Sequence, residues 1–458
     1  MKKKLVSVLL VSAMAATMLA GCGGNGGSSD SNSGTQAGDK TAAKGSVYLL
    51  NFKPETDEAW QNLAKTYTDQ TGVDVTVLTA ADGQYNTTLQ AEMAKAEAPT
   101  IFTVGNSAAA KTWEDYTMDL SDTAIYDHLT DKSLTIKNGD KIVSVANCYE
   151  CYGLIYNKTI LEGYCGMDGA VVKSVDEINN FETLKAVADD INSRVDEIND
   201  ALGTNLTEAF ASAGLDDGSS WRFSGHLANM PLFYEFRDDK VEAQPATVTG
   251  AYLDNFKNIW DLYINNATCE PAQLATKTGD ESEAEFGQGK AVFYQNGTWE
   301  YSNLVLDESK GFKMNPDDLT MIPLYCGVDG EEESGLCNGT ENCWAVNSQA
   351  SEEDIQATLD FLKWVVTSDE GTTMMAEQFG AVPFKQAKEA TNVFCEAANQ
   401  YTADGKYGVT WAFNYTPNVD QWRAGVKSAL LQYSANGGDW ADVEKAYVDG
   451  WAAQYKAQ

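Results

Sequence analysis

The chain has 458 residues, of which 43% are hydrophobic, 22% are charged and only 9 are Pro. This composition is typical of globular proteins and excludes disordered and fibrous classes. Acidic residues outnumber basic ones by 67 to 32, which gives a formal charge of −35. Because nucleic acids and anionic lipid surfaces are bound through Lys and Arg, we expect no nucleic acid partner.

The N-terminus carries the pattern of an export signal. Residues 2–4 are lysines, and residues 5–20 are apolar apart from small hydroxyl side chains. The sequence LAGC at 19–22 resembles the bacterial lipobox, which predicts cleavage before Cys22 and attachment of a diacylglyceryl group to its sulfur. We therefore predict a lipoprotein signal peptide at 1–21. The alternative is an ordinary signal peptide that is followed by a chance Cys.

A polar segment separates the predicted anchor from the first apolar strand. It is rich in Gly and Ser and has almost no apolar side chains that could offset the entropy of ordering. Residues 22–45 are therefore interpreted as the lipidated Cys and a flexible tether. We expect the folded part to lie on the outer face of a bacterial cytoplasmic membrane, extracellular or periplasmic, and to contact that membrane through the lipid alone.

The chain contains nine cysteines, of which eight remain if Cys22 is lipidated. An even number in an exported protein permits disulfides, and free buried thiols are the alternative. Cys148 and Cys151 have the spacing of redox and metal sites, but the sequence has no second pair with that spacing. We expect neither a metal nor a cofactor.

From residue 46 onward, short strands and helices alternate. Gly72 is expected to end the first helix, and Ser351 with Asp354 is expected to cap a later helix whose apolar stripe runs from 355 to 366. This alternation predicts an α/β fold whose first sheet is parallel and covered by helices on both faces. The opening order is a strand at 47–50, a helix after Pro54, a strand at 73–77, a helix at 84–96, a strand at 101–104 and a helix from 108.

The motifs of the common enzyme classes are missing from this sequence. The two histidines, His128 and His226, are not accompanied by a G-x-S-x-G motif, and HExxH does not occur. The loop at 287–291 lacks the upstream Gly and the Ser or Thr of a nucleotide-binding loop. Carboxylate pairs for glycoside hydrolysis remain open, because 67 acids allow many pairs. We expect a binding protein and not an enzyme.

Four segments carry a family resemblance, and they occur in that family's order. They are GLIYNK at 153–158, GKAVFYQNGTWE at 289–300, MIPL at 321–324 and WAVN at 344–347. They resemble the strands that cross between lobes, and the strand and turn with the ligand-stacking Trp, of the extracellular solute-binding proteins of ABC importers. This is the family that includes maltose-binding protein.

The resemblance implies a two-lobed, periplasmic-binding-protein-like α/β fold of type II, with each lobe a parallel-rich sheet flanked by helices and a hinge of two or three strands. On that pattern lobe one takes 46–150 plus 321–347, and lobe two takes 153–318 plus 348–458. It also implies a monomer that captures a sugar or oligosaccharide between the lobes and delivers it to ABC permease subunits. The alternatives are a binding lipoprotein for a cationic or peptide solute, and a surface-attached glycoside hydrolase.

A sugar presents an apolar face that suits aromatic rings, and hydroxyls that suit charged side chains and amides. The resemblance makes Trp299 the stacking Trp and Glu150 the hydroxyl-accepting acid before the first crossing. It places Trp221 and His226 on one wall of the cleft and Trp422 at a second stacking position. For the four ring-bearing residues the alternative is packing in the core, and for Glu150 it is a hydrogen bond within the hinge.

Polar residues that follow predicted strands complete the candidate site. Lys53 and Glu55 follow the first strand, and Asn106 follows the strand at 101–104, at the carboxyl ends where α/β sheets hold ligands. The alternatives are an exposed helix start for the first two and a helix cap for Asn106. Asn342, beside the Gly-rich loop at 335–339, is the last candidate.

Overall fold

Twelve strands lie in the residues that the structure, a computed structural model, describes: 44–81, 83–241, 243–340, 343–390, 392–435 and 437–458. They are β1 (Ser46–Asn51), β2 (Asp74–Thr79), β3 (Ile101–Thr103), β4 (Thr135–Asn138), β5 (Lys141–Ala146), β6 (Glu150–Asn157), β7 (Glu208–Phe210), β8 (Ala291–Gly297), β9 (Leu319–Ile322), β10 (Ser334–Gly339), β11 (Cys343–Val346) and β12 (Tyr407–Thr410).

Fifteen α-helices connect and cover these strands in the same described ranges. They are α1 (Asp57–Thr71), α2 (Tyr85–Met93), α3 (Ser107–Thr112), α4 (Ala124–His128), α5 (Lys158–Cys165), α6 (Phe181–Ser193), α7 (Val195–Leu202), α8 (Asn229–Asp239), α9 (Leu253–Asn265), α10 (Gly279–Gly287), α11 (Glu352–Thr367), α12 (Asp369–Gln378), α13 (Val393–Ala403), α14 (Val419–Ser434) and α15 (Trp440–Ala457).

The predicted ends of two helices are confirmed. Gly72 caps α1 in the left-handed region with φ of 70°, a conformation that Gly adopts without strain. The hydroxyl of Ser351 accepts a hydrogen bond from the backbone amide of Asp354 at 3.1 Å, which starts α11 as the capping pattern predicted.

The first sheet has the strand order β2-β1-β3-β11-β5-β4. β1 pairs in parallel with β2 and β3, as the opening βαβα pattern predicted. Successive residues of a strand point to opposite faces. Leu49 and Ile101 accordingly join the core that α1 and α11 cover, whereas Leu50 and Phe102 join the core that α2 covers. Helices therefore cover both faces of this sheet.

The second sheet has the order β12-β10-β6-β8-β7, and β9 also pairs with β6. Its central strand β6 runs antiparallel to β8, β9 and β10, and only the β7–β8 and β10–β12 pairs are parallel. In the first sheet β11 pairs antiparallel with β3 and β5. The prediction of parallel-rich sheets is therefore wrong: both are mixed, because hairpins and crossing strands enter antiparallel to their neighbours.

Two segments lie in the opposite half from the one that was expected. The 321–347 segment expected in lobe one contains β10 and the last two residues of β9, and both strands pair with β6 in the second sheet. Helix α11, expected in lobe two, packs on the first sheet, because Phe361 contacts the rings of Trp60 and Tyr67 on α1. The chain therefore returns to the first sheet only at β11.

The eight cysteines of the described residues are all buried, and none of them forms a disulfide. The sequence left disulfides and buried thiols as alternatives, and the structure has buried thiols. No helix in the described ranges has both the length and the apolar character that crossing a bilayer requires.

Candidate ligand-binding site

Six ring-bearing side chains form one cluster at the place where the two sheets meet, and we call it the junction cluster. Its centre is His226, which is 2% exposed. The distances from the centroid of the His226 ring are 4.8 Å to Tyr152, 5.2 Å to Trp221, 5.6 Å to Trp299, 5.1 Å to Trp411 and 5.1 Å to Phe413.

Irregular backbone positions the two tryptophans of this cluster that are only partly buried. Trp221 and Trp299 are each followed closely by a π-helical turn, at Arg222–Leu227 and Ser302–Leu306. Turns of this type are rare and often occur at functional sites. A Cβ atom on Gly297 would lie 2.2 Å from the ring of Trp299, so the indole lies directly against the backbone there.

Charged side chains from both sheets reach the junction cluster. Lys53 follows β1, and its Nζ lies 2.5 Å from Oε1 of Glu150 on β6 and 3.0 Å from Oε1 of Glu55. The same Nζ lies 5.4 Å from the ring centroid of Trp299. Burial alone would lower the pKa of Lys53, but the two carboxylates more than offset this, so its pKa is raised well above the usual value and the ammonium stays charged.

The structure therefore brings six of the nine predicted contact residues together. The other three are Asn106, Trp422 and Asn342. Asn106 takes its alternative role, because its Oδ1 accepts a hydrogen bond from the amide of Ala109 at 2.8 Å and caps α3. The prediction for Trp422 is wrong: it is 1% exposed in the core, where α14 packs it against α15. Asn342 lies outside the described residues. The six that converge are Lys53, Glu55, Glu150, Trp221, His226 and Trp299.

Sequence reasoning missed several members of the site. Tyr152 follows Glu150 by two positions on β6 and so points to the same face of the strand, which is a signal that the sequence contained. Trp411 and Phe413 follow β12 without a motif that marks them. Arg222 and Glu300 stand directly beside the two tryptophans of the predicted site.

Buried polar atoms without hydrogen-bond partners concentrate at this place. Such atoms are rare in folded proteins, and each calls for an explanation. Burial, and then the nearby charge of Arg423, lower the pKa of His226 well below its usual value, so its ring is neutral with one donor and one acceptor. The atoms without a partner in the described part of the chain include both ring nitrogens of His226, Nε1 of Trp411, Oε1 of Gln295, Nη2 of Arg222 and Oε2 of Glu300.

A separate cavity of about 300 Å³ lies on the other face of β6, where Tyr149 and Cys151 line it. The hydroxyl of Tyr149 donates to Oδ1 of Asn338 at 2.7 Å, so these two lining groups satisfy each other. None of the unpartnered buried atoms identified among the described residues belongs to a lining residue of this cavity. The chemistry therefore places the candidate site at the junction cluster. The described residues hold no cluster of metal-binding side chains.

Comparisons with known proteins agree with the fold. Residues 62–400 match the family model of the bacterial extracellular solute-binding proteins. The structure is similar to the solute-binding protein RafE in complex with raffinose, with a TM-score of 0.67 and 14% identity over 90% of this chain and 99% of that one. It is also similar to the GacH receptor of Streptomyces glaucescens, solved unliganded and with acarbose, with a TM-score of 0.64 and 16% identity over 91% and 99%.

A third similar structure is a sugar transporter of Bacillus licheniformis in complex with stachyose, with a TM-score of 0.59 and 16% identity over 89% of this chain and 100% of that one. No curated protein matches the chain in sequence. These similarities confirm the predicted two-lobed, periplasmic-binding-protein-like α/β fold.

Proposed function

We propose that this chain, which belongs to the family of bacterial extracellular solute-binding proteins, captures a sugar or oligosaccharide at the junction cluster and delivers it to the permease of an ABC importer. The observation that carries the proposal is the mixture of aromatic faces with buried polar atoms that have no partner in the described chain. Sugar rings stack on aromatic faces, and their hydroxyls can both donate to and accept from such atoms.

The known ligands of similar structures support this substrate class. The three structures named above carry raffinose, acarbose or stachyose by their own descriptions. Because the identities are at most 16%, the similarity shows the fold, and the choice of a sugar for this chain rests on the junction cluster.

Because the site lies between the two sheets, ligand binding can change how the two halves of the molecule are arranged. Lys53 comes from the first sheet, whereas Glu150 and Trp299 belong to the second. A ligand that contacts both halves binds the closed form better than the open form and so shifts the population towards closure. The permease would recognise the closed form, and the chain itself would carry out no chemistry on the sugar.

The anchor and the lobe boundaries are further parts of the proposal. Lipidation at Cys22 would hold the chain on the outer face of the membrane, and this position lies outside the described residues. The sheets support a first lobe of 46–146 plus 343–384 and a second lobe of 150–339 plus 393–458.

A thermal-shift screen of the purified protein tests the function. Raffinose, stachyose, acarbose and chitin oligosaccharides are each added, with a peptide mixture and spermidine as non-sugar probes. A ligand at 100 times its dissociation constant adds about 2.7 kcal/mol to the free energy of unfolding. Stabilisation by spermidine or peptides, with none by any sugar, would remove the proposed substrate class.

A further inference from the structure

Lys53 places an ammonium group against the junction cluster and out of water. The residue is 7% exposed, and its Nζ lies 2.5 Å from Oε1 of Glu150, 3.0 Å from Oε1 of Glu55 and 5.4 Å from the ring centroid of Trp299. Carboxylates beside an aromatic ring are the groups with which proteins bind organic cations. Lys53 therefore occupies the position that the ammonium group of a ligand would take.

Neighbouring residues fix the backbone of Lys53. Oδ1 of Asn51 accepts a hydrogen bond from the amide of Lys53 at 3.2 Å, and Nδ2 of Asn51 donates to the Lys53 carbonyl at 2.7 Å. The hydroxyl of Thr56 donates to the same carbonyl at 2.9 Å. A 3₁₀ turn at Pro54–Thr56 brings Glu55 to the same ammonium. Since both polar groups of its backbone have partners, the Lys53 side chain starts from a defined position.

Glu150 and Trp299 are held together by bonds that do not involve Lys53. The amide of Thr298 donates to the carbonyl of Cys151 at 2.9 Å, and the amide of Cys151 donates to the hydroxyl of Thr298 at 3.3 Å. These two bonds join the residue that follows Glu150 to the residue that precedes Trp299. The carboxylate and the ring would therefore keep their places if the ammonium were removed.

The two acids that contact the ammonium supply the negative charge at this place. Glu300, which follows Trp299, adds little near neutral pH, because burial, and then the charge of Glu283, raise its pKa to about 8. Glu55 and Glu150 are therefore the carboxylates that a cation would meet.

The charge of the whole chain favours cations as solutes. Acidic residues exceed basic ones by 67 to 32, and such an excess draws small cations towards the surface and its clefts. A site of aromatic rings and carboxylates would hold those cations unless another group excluded them. Since like charges repel strongly in a buried site, an ammonium that is already in place excludes them. Uncharged sugars meet no such repulsion.

We propose that Lys53 sets the specificity of the junction cluster as a built-in cation: it fills a site for organic ammonium groups and so excludes polyamines and quaternary ammonium solutes, while neutral sugars still bind. The inference rests on the proposed function and narrows it, because it assigns the rejection of cations to one side chain. Removal of the Lys53 side chain should open the place beside Glu55, Glu150 and Trp299 to a cationic ligand.

The test uses choline and 3,3-dimethyl-1-butanol, which have the same shape and differ in charge. Lys53→Ala removes the ammonium and leaves room for either probe. In calorimetric titration, we expect the affinity for choline relative to that for the neutral probe to rise at least about tenfold in Lys53→Ala, through cation–π and ion-pair attraction. Lys53→Ser is a second neutral variant and should show the same rise.

Two further variants serve as controls. Lys53→Arg keeps a cation at the site, so choline should bind it no more tightly than it binds the unmodified protein. Lys277→Ala removes a cation from a different ion pair, in which Nζ of Lys277 lies 2.5 Å from Oε1 of Glu285 on α10. It changes the net charge by the same amount as Lys53→Ala, and it should leave choline affinity within about twofold.

Titrations with raffinose, stachyose and chitin oligosaccharides separate this inference from the proposed function. If one of these sugars binds the unmodified protein but Lys53→Ala and Lys53→Ser gain no preference for choline, the inference is overturned and the function stands. An equal gain in Lys277→Ala also overturns the inference, because net charge would then explain it. If choline binding rises in Lys53→Ala but none of the sugars binds the unmodified protein, the function falls and the exclusion of cations by Lys53 stands. Circular dichroism of each variant shows that it is folded before it is titrated.

Discussion

Two aromatic clusters around the second sheet are similar in composition but differ in their hydrogen bonds. The core cluster consists of Trp260, Trp422, Tyr447 and Trp451, each less than 2% exposed. Every polar side-chain atom in it has a partner within the chain. The indole nitrogen of Trp260 donates to Oγ of Ser434 at 3.1 Å, and that of Trp422 donates to the carbonyl of Tyr447 at 2.9 Å. The indole nitrogen of Trp451 donates to the carbonyl of Pro245 at 2.8 Å. The hydroxyl of Tyr447 donates to the carbonyl of Ala228 at 2.7 Å.

The junction cluster has the opposite property. Both nitrogens of His226 and the indole nitrogen of Trp411 are buried without a partner in the described residues. In a permanent core such atoms would cost about 1 to 3 kcal/mol each. Trp440, near the core cluster, is an exception with an unpartnered indole nitrogen. Hydrogen-bond satisfaction, and not aromatic content, therefore distinguishes a packed core from a surface that binds a polar ligand.

Loss of a tryptophan from the core cluster should reduce stability more than any other change considered. Replacing Trp422 by Ala removes a fully buried indole and its hydrogen bond, so we expect the free energy of unfolding to fall by about 3 to 5 kcal/mol. Urea denaturation measures this. A variant that stayed as stable as the parent and lost only sugar binding would move Trp422 from the core to the site.

The matching change in the junction cluster should act on binding. Trp299 is partly exposed, and Tyr152 stacks on it at 6.0 Å between ring centroids. We expect Trp299→Ala to weaken sugar binding by about 1 to 3 kcal/mol, through lost stacking and lost apolar contact. Titration with the sugar that gives the largest thermal shift measures it. Unchanged affinity in the folded variant would assign Trp299 to packing alone.

A pH series of unfolding measurements tests whether Glu300 is strained in the absence of ligand. Its folded pKa of about 8 exceeds the value of 4.5 for an ordinary Glu, so its contribution to stability is fully present below pH 4.5 and is lost as the pH rises through 8. Glu300→Gln cannot ionise. The stability of this variant relative to the parent should therefore increase by roughly 4 kcal/mol between pH 5 and pH 8.5. A constant difference across that range contradicts the assignment.

Local sequence patterns predicted local structure well, because their causes are local. Gly72 ends α1 and Ser351 starts α11 through contacts within a few residues. The pairing of β9 and β10 with β6 depends on partners far away in sequence, so the expected boundaries of the lobes were wrong there.

The two tryptophans that sequence reasoning treated alike could have been separated. Trp422 is followed by Val426 and Leu430 at helical spacing, and all three are buried. This stripe favours a core position. Trp299 begins no such stripe and precedes a π-helical turn. The unpartnered atoms beside it have no sequence signature, because hydrogen-bond satisfaction is a property of the folded chain.

A pair of substitutions to Phe compares the clusters directly. His226→Phe removes two unpartnered nitrogens and keeps a ring, so the unliganded protein should gain up to about 1 kcal/mol while sugar binding weakens. Tyr447→Phe removes a hydroxyl that donates to Ala228, so it should lose about 1 kcal/mol and keep its affinity. Thermal unfolding measures the stability of both variants, and titration measures their sugar affinity. If His226→Phe and Tyr447→Phe lost the same stability, the two clusters would not differ in the satisfaction of their hydrogen bonds.

The smallest effect concerns a predicted contact residue that already has a partner. Asn106 accepts from the amide of Ala109, and the comparison of the clusters implies that a side chain satisfied in this way is not waiting for a ligand. We expect Asn106→Ala to lower the free energy of unfolding by about 0.5 to 1 kcal/mol through loss of the cap. Asn106→Ser, which can also cap, should restore most of that stability, and sugar affinity should be the same in both variants. If Asn106→Ala lowered the sugar affinity and Asn106→Ser did not restore it, the amide of Asn106 itself would contact the ligand. A side chain that caps a helix could then also be a ligand contact.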